Sequence, residues 1–113
     1  MSIKRIEPGT RMSQAVVHGS VAYLAGQVAL GPSVAEQTKA VLAEIDALLA
    51  KAGTDKTRLL TATIYLADIS TFAEMNAVWD GWVAPGGVPA RATVEAALAT
   101  PDYKVEIVVT AAV

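Results

Sequence analysis

The chain has 113 residues, enough for one domain with a single core, and its net charge of −2 without any cluster of Lys or Arg disfavours nucleic-acid binding. The absence of cysteine excludes disulfides and thiolate chemistry, and one histidine cannot build a zinc site, so we expect no metal and no cofactor. The hydrophobic content of 53% is high for so small a domain, which predicts that further subunits cover part of its surface.

The hydropathy pattern gives no membrane-spanning candidate, because no window approaches the roughly 18 uninterrupted apolar residues that a span requires. The first residues, MSIKRIEPGTRMS, carry charges where a signal peptide has its apolar segment. We therefore expect a cytoplasmic protein.

A β-hairpin is predicted over residues 14–30, QAVVHGSVAYLAGQVAL. Two β-prone runs flank His18-Gly19-Ser20, a turn-forming cluster of the kind that closes hairpins. Residues 3–6 allow one further short strand before this hairpin.

The next stretch, PSVAEQTKAVLAEIDALLAKAG, changes to helical spacing. Ser33 and Glu36 have the spacing of a capping box, and Gly53 stands where a left-handed residue ends a helix. The apolar positions that recur along one side are Val41, Leu42, Ile45, Leu48, Leu49 and Ala52. The pattern predicts an amphipathic helix between residues 32 and 53.

The second half of the chain repeats this alternation of strand and helix. Residues 59–68 alternate as a strand inside a sheet, and a second helix is predicted to begin at a capping box formed by Thr71 and Glu74. Two β-prone segments, 90–98 and 104–113, follow and are joined by the turn sequence ATPDY.

These elements predict an α+β fold with the order β-β-α-β-α-β-β. Strands joined through helices need parallel crossovers, whereas the two terminal hairpins are expected to be antiparallel. The sheet should therefore be mixed, with both helices packed on one face. Its opposite face would keep apolar surface for an oligomer core.

Arg91 stands between a Gly/Pro loop and an alternating run in GGVPARATVEAA, residues 86–97. Its planar fork can bind a carboxylate through two parallel hydrogen bonds, and Pro89 would fix its approach. The same local sequence is compatible with a structural arginine that lies at the surface or at an interface and pairs with an acidic neighbour. Both interpretations stay open at this stage.

Glu106 is the only charge that follows Lys104 in a strand that is apolar on both faces. A carboxylate there must be paired or lie in a polar cavity. Burying even a neutral polar group without a hydrogen bond costs roughly 2–7 kcal/mol, and burying an unpaired charge costs more. It is either a functional carboxylate or a structural partner of Arg91 or Lys104. Glu95 offers a similar carboxylate on the neighbouring strand.

Two further residues have either structural or functional explanations. Asn76 lies in the middle of a helix, where asparagine has indifferent propensity, so its amide is expected to bond across to a loop or a subunit. Gly26, in YLAGQ, allows a ligand to approach the backbone closely, although a β-bulge explains it equally well.

Five blocks of the chain together resemble the RidA family of reactive-intermediate deaminases, also called YjgF/YER057c/UK114. In order they are MSQAV, YLAGQVAL, EQTKAVLAEIDALLAKAG, IYLADISTFAEMNAVW and PARATVEAALATPDYKVEI. They cover nearly the whole chain, and the last block is the most specific, because its Pro-x-Arg-x-x-Val run followed by Val-Glu-Ile is the hallmark of the family.

The resemblance implies a homotrimer of chorismate-mutase-like fold with active sites between subunits. Such proteins hydrolyse 2-imino acids and their enamine tautomers, such as 2-aminoacrylate, to 2-oxo acids and ammonia. By resemblance, Arg91 would hold the substrate carboxylate and Glu106 would position the attacking water. The backbone at Thr93 would help to bind imine and water, and Gly26 and Asn76 would shape the cleft.

The chain departs from the archetypal family pattern at the rim of the implied site. Met12 stands where the archetypes have tyrosine, Ala25 replaces a serine before Gly26, and the loop after Gln27 is short. These features are similar to the YoaB-like subgroup. The alternatives are a non-catalytic trimer that binds or senses small carboxylate metabolites, and the ribonuclease activity attributed to some relatives.

Overall fold

The structure is a computed structural model, and it describes residues 2–113. Six strands and two helices follow one another in the predicted order, including the additional first strand. They are β1 Ile3–Pro8, β2 Ser13–His18, β3 Val21–Leu24, α1 Val34–Lys51, β4 Leu59–Leu66, α2 Phe72–Trp82, β5 Ala90–Glu95 and β6 Val105–Ala112. Short 3₁₀ turns, Lys56–Arg58 and Ile69–Thr71, precede β4 and α2. The predicted α+β class is confirmed.

All six strands form one mixed sheet in the order β1-β2-β3-β6-β4-β5. Among the described residues β4 pairs with β5 in parallel, and the other neighbouring strands are antiparallel. The prediction of an antiparallel hairpin from the last two strands was wrong. Helix α2 returns the chain so that β5 lies parallel to β4 at the edge, and β6 then occupies the place between β3 and β4.

Both helices pack on one face of the sheet, as predicted. α1 contacts β3 and β6, and α2 contacts α1. The sheet residues of this helix-covered face alternate along each strand; the buried ones are Ile6, Ala15, Ala22, Leu24, Ala62, Ile64, Leu66, Val105, Ile107, Val109 and Ala111. The opposite, open face carries Tyr23 and Val94, whose side chains are 46% and 43% exposed.

The ends of α1 form as the sequence predicts. Ser33 Oγ accepts a hydrogen bond from Glu36 N at 3.1 Å. At the other end Gly53 has φ +86°, and its N–H and that of Thr54 donate to the carbonyls of Ala50 and Leu49. This pair of bonds is the Schellman motif, and glycine adopts its left-handed conformation without a steric penalty.

The capping box predicted for α2 does not form. The chain is already turning in the 3₁₀ segment, where Asp68 accepts from Ser70 N at 2.9 Å, so the Thr71 hydroxyl donates back to the Asp68 carbonyl. Glu74 reaches the other helix instead, and its Oε2 accepts from Ala35 N at 2.9 Å. A carboxylate of α2 therefore satisfies a free amide in the first turn of α1.

Gln37 is a fully buried polar residue of α1 that fixes the segment entering β6. Its Nε2 donates to the carbonyls of Gly31 at 3.0 Å and Asp102 at 2.9 Å. Its Oε1 accepts from Lys104 N at 2.8 Å. The start of the strand that carries Glu106 is therefore attached to the long helix by one side chain.

Replacing Gln37 by leucine should lower the free energy of unfolding by about 1–3 kcal/mol, because buried backbone groups lose their partner. Thr38→Val, at the next buried position, removes only a bond within the helix to Val34 and should cost less. Urea unfolding at one protein concentration measures both. An equal loss in the two variants would contradict the linking role of Gln37.

Candidate functional site

Arg91 lies on the edge strand β5 with its side chain over α2. It is opposite Ala62 of β4, so it belongs to the helix-covered face. Its Nη1 donates to Asn76 Oδ1 at 2.8 Å. Its Cζ lies 5.3 Å from the ring centroid of Trp79 and 5.7 Å from that of Phe72. The amide of Asn76 thus bonds across to a strand, where a loop or a subunit was expected.

The positive charge of Arg91 has no acidic partner among residues 2–113. In this part of the chain the ion pair within 4 Å joins Lys51 and Glu7. Glu95, on the same strand as Arg91, accepts instead from Ile69 N at 3.0 Å. A neutral amide and two aromatic rings therefore hold a charged fork, which leaves the guanidinium available to an anion.

The backbone of β5 adds donors at the free edge of the sheet. Ala96 N, just beyond the strand, donates to Leu66 O of β4 at 3.0 Å. Because backbone groups alternate in direction along a strand, those of Arg91 and Thr93 point away from β4, toward the unpaired edge. Thr93 Oγ1 is buried and has no hydrogen-bond partner among the described residues.

Glu106 lies on the other face of the sheet, beside Gly26. It is opposite Tyr65 in the β4–β6 pair, and that position belongs to the open face. A Cβ built on Gly26 would overlap the Glu106 carboxylate and would lie 2.8 Å from its Cδ. Glycine at position 26 therefore makes room for the carboxylate.

Gly26 also lies in an irregular stretch where the chain changes register. Gln27 lies four positions after Tyr23, but Ile107, the β6 partner of Gln27, lies only three positions before Thr110, the partner of Tyr23. The extra residue is a β-bulge, which ends the regular pairing of β3 at Leu24 instead of residue 30. The β-bulge offered as one explanation for Gly26 is therefore confirmed, and the group that approaches its backbone closely is the side chain of Glu106.

Met12 and Gly26 line one concave region of about 490 Å³ between the start of β2 and the side of α1. Met12 is 50% exposed there. Gln27 Nε2 donates to Gln14 Oε1 at 3.0 Å along its wall. Burial raises the pKa of Glu44, which lines the α1 side.

The structure thus brings the predicted residues together in two groups. We call Arg91, Thr93 and Asn76 the arginine half-site, and Glu106 with Gly26 the glutamate half-site. Met12 lines the concave region beside Gly26, and the lining of that region does not include Glu106. β5 and β6 are separated by β4, which corresponds to about 10 Å across the sheet. The Arg91 and Glu106 side chains also leave opposite faces, so one chain does not join the half-sites, and Arg91 and Glu106 do not pair structurally.

Sequence reasoning missed Phe72 and Trp79 as neighbours of Arg91. With Asn76 they lie at positions i, i+4 and i+7 of α2, which is one stripe of the helix. A parallel crossover places that stripe over β5. The combination of the helical period with the β4–α2–β5 connection is the signal that could have identified them.

Two classes of site and segment are not found in residues 2–113. No three side chains of the kind that ligate metals lie close enough together to hold an ion. Neither helix is long and apolar enough to cross a membrane.

Replacing Gly26 by alanine should lower the free energy of unfolding by about 0.5–1.5 kcal/mol, because the new methyl group meets the Glu106 carboxylate and forces that flexible side chain into another rotamer. In a Glu106→Ala background the same change should cost less than about 0.5 kcal/mol, and the double-mutant cycle measures this coupling. Gly81→Ala is the control: open space surrounds that position, and because it lies inside α2 the change should raise the free energy of unfolding by up to about 1 kcal/mol. An equal cost in both backgrounds would show that the close approach is not what requires glycine.

Comparison with known proteins identifies the relatives of this chain. A family model described as Endoribonuclease L-PSP matches residues 2–113. A RutC family protein of Haemophilus ducreyi is 50% identical over 113 residues, covering 98% of this chain and 97% of that protein. The RutC family protein YoaB of Escherichia coli K12 is 47% identical over 114 residues and covers 100% of both chains.

Solved structures give the same result. A member of the YjgF protein family from Neisseria meningitidis superimposes with a TM-score of 0.97 at 50% identity, covering 99% of this chain and 95% of that one. A protein of the Rid family from Yersinia pestis has a TM-score of 0.91 at 29% identity, covering 99% and 100%. The predicted family and its YoaB-like relatives are thereby confirmed, and the chain belongs to the YjgF/RidA family.

Proposed function

We propose that this protein hydrolyses reactive 2-imino acids and their enamine tautomers, such as 2-aminoacrylate, to 2-oxo acids and ammonia. The observation that carries the proposal is the charge of Arg91, which Asn76, Trp79 and Phe72 hold and which pairs with no carboxylate of residues 2–113. A fork of this kind recognises a planar carboxylate in a bidentate manner. That the carboxylate belongs to a 2-imino acid is inferred from the family resemblance.

The reaction depends more on the orientation of substrate and water than on a strong catalytic group. The protonated imine carbon is electrophilic; the water oxygen forms a bond to it, and the electron pair of the C=N bond moves to nitrogen. The resulting carbinolamine gives its hydroxyl proton to the nitrogen side, the C–N bond breaks, and a C=O bond and ammonia form. Holding the carboxylate and the water in place supplies much of the acceleration.

Glu106 is the group we propose for the water. Its carboxylate can accept a proton from water as the new C–O bond forms, and it can give that proton to the departing nitrogen, which leaves as ammonium. The absence of a side chain at Gly26 leaves the room that this carboxylate occupies. The outward N–H groups of Arg91 and Thr93 are the donors we assign to the carbinolamine oxygen, which carries negative charge when its proton leaves and before the C–N bond breaks.

We further propose that the active protein is a homotrimer in which a second copy completes each site. The two half-sites lie on opposite faces of one sheet. A complete site therefore needs the arginine half-site of one subunit and the glutamate half-site of a neighbouring subunit. The open face, with exposed Tyr23 and Val94, is the surface we assign to the central contact.

A non-catalytic binder of small carboxylate metabolites is the second candidate, because the unpaired Arg91 favours it equally. An endoribonuclease, the description of the family model, is less favoured. The net charge of −2 opposes binding to a phosphate backbone. No nucleic acid or membrane partner is therefore proposed.

Replacing Arg91 by alanine should lower kcat/KM about 100-fold or more, since two charge-assisted hydrogen bonds to the carboxylate are lost. Arg91→Lys should be intermediate, because an ammonium lacks the fork. Glu106→Gln should lower kcat about 10²- to 10⁴-fold. The substrates are 2-iminopropionate and longer 2-imino acids made in situ by an amino-acid oxidase, with residual imine trapped by semicarbazide.

Arg58→Ala and Glu95→Gln are matched controls, since Arg58 lies in the exposed turn before β4 and Glu95 bonds a backbone amide. All variants are compared at equal folded and oligomeric content. Acceleration by the wild type that survives Arg91→Ala would refute the assigned anchor. If the wild type binds carboxylates but does not accelerate the loss of imine, the interpretation as a non-catalytic metabolite binder replaces the interpretation as an enzyme.

A further inference from the structure

Arg91 rests on two aromatic side chains, Phe72 and Trp79, which we call the aromatic pair. Both rings lie within 6 Å of the guanidinium carbon, the range in which a cation is attracted to a ring face. The two rings differ in burial: Trp79 is 5% exposed and Phe72 is 38% exposed. The inner ring therefore provides a fixed support and the outer ring a partly open one.

Trp79 is itself fixed by contacts that reach three elements. Its ring centroid lies 5.3 Å from that of Trp82, with a tilt of 52°. The Trp82 Nε1 donates to Asp46 Oδ2 of α1 at 3.0 Å, and Lys56 Nζ lies 5.1 Å from the Trp82 ring. The support beneath Arg91 is thus part of the packing between α1, α2 and the turn before β4.

An arginine on an exposed edge strand has many rotamers, and ordering it at the moment of binding lowers affinity. In this chain the ordering is supplied before any ligand arrives. Asn76 occupies one nitrogen of the guanidinium, and the aromatic pair attracts the positive charge. The donors that Asn76 does not occupy remain for a carboxylate.

We infer that Trp79 and Phe72 are positioning residues, which hold the Arg91 guanidinium ready for a carboxylate ligand. They act through Arg91 and touch no reacting atom. That the ligand is a 2-imino acid rests on the proposed function, whereas the ordering of Arg91 does not. The two claims therefore need separate measurements.

The first measurement is the order of the Arg91 side chain, from ¹⁵N relaxation of its Nε–H in the ligand-free protein, with the signal assigned by its loss in Arg91→Lys. Trp79→Phe keeps a ring under the guanidinium, and Trp79→Leu removes it while keeping apolar volume. Trp82→Phe is the matched comparison on the same helix, since it loses the bond to Asp46 but keeps an aromatic ring against Trp79. Phe72→Leu tests the outer ring, whose exposure makes the change mild for folding.

We expect an ordered Arg91 in the wild type, Trp79→Phe and Trp82→Phe, and a marked loss of order in Trp79→Leu and Phe72→Leu. The Kd for 2-oxobutanoate, measured by calorimetry, should rise about 3- to 30-fold in the two leucine variants and recover in Trp79→Phe. In turnover the same variants should raise KM more than they lower kcat. Unchanged order of Arg91 in Trp79→Leu, with folding intact, overturns the inference.

The measurements also separate this inference from the proposed function. Absence of imine turnover in the wild type refutes the proposed function alone, since the order of Arg91 is read without substrate. Should Trp79→Leu fail to fold, Phe72→Leu decides, and an unchanged order of Arg91 there overturns the inference.

Discussion

The insertion of β6 between β3 and β4 is the constraint on which the rest of this structure depends. It joins the N-terminal strands to the β4–α2–β5 unit and buries one side of β6 under α1. It also brings the bulge after β3 against the start of β6, where Gly26 meets Glu106. Because β6 takes the inner side of β4, β5 is left at the edge. The free backbone edge beside Arg91 and Thr93 follows from that placement.

The same topology separates the two charges that the proposed chemistry needs. Arg91 leaves the helix-covered face and Glu106 leaves the open face, so neither neutralises the other within one chain. A pair in contact would be a stable structural ion pair and would have little attraction for a substrate carboxylate. Their separation keeps both groups available, and it makes the proposed activity dependent on assembly. High hydrophobic content and an uncovered sheet face agree with such an assembly.

Several features of the two half-sites give up local stability. Thr93 Oγ1 is buried and finds no hydrogen-bond partner within residues 2–113, which costs about 1–3 kcal/mol for a hydroxyl. Gly26 gives up the conformational restriction that a larger residue would bring. Arg91 forgoes the ion pair that an acidic neighbour would have given it within residues 2–113, and it has only an amide and aromatic rings as partners. Unsatisfied or flexible groups of this kind tend to concentrate where a protein binds or reacts.

The sequence alone determined the local structure, because that depends on neighbours along the chain. Helical and strand periods, the Ser33 cap and the left-handed Gly53 were readable without tertiary information, and so was the placement of Arg91 on a strand. The pairing of the last two strands, the role of Glu74 and the aromatic support of Arg91 were decided only in three dimensions. The spacing of Thr71 and Glu74 predicts a capping box, but in the structure a 3₁₀ turn precedes the helix and Glu74 bonds an amide of α1 instead. The spacing of residues along the chain gives no information on such partners from other elements. The face from which Arg91 and Glu106 leave the sheet likewise depends on register, and hydrogen bonds between distant strands set that register.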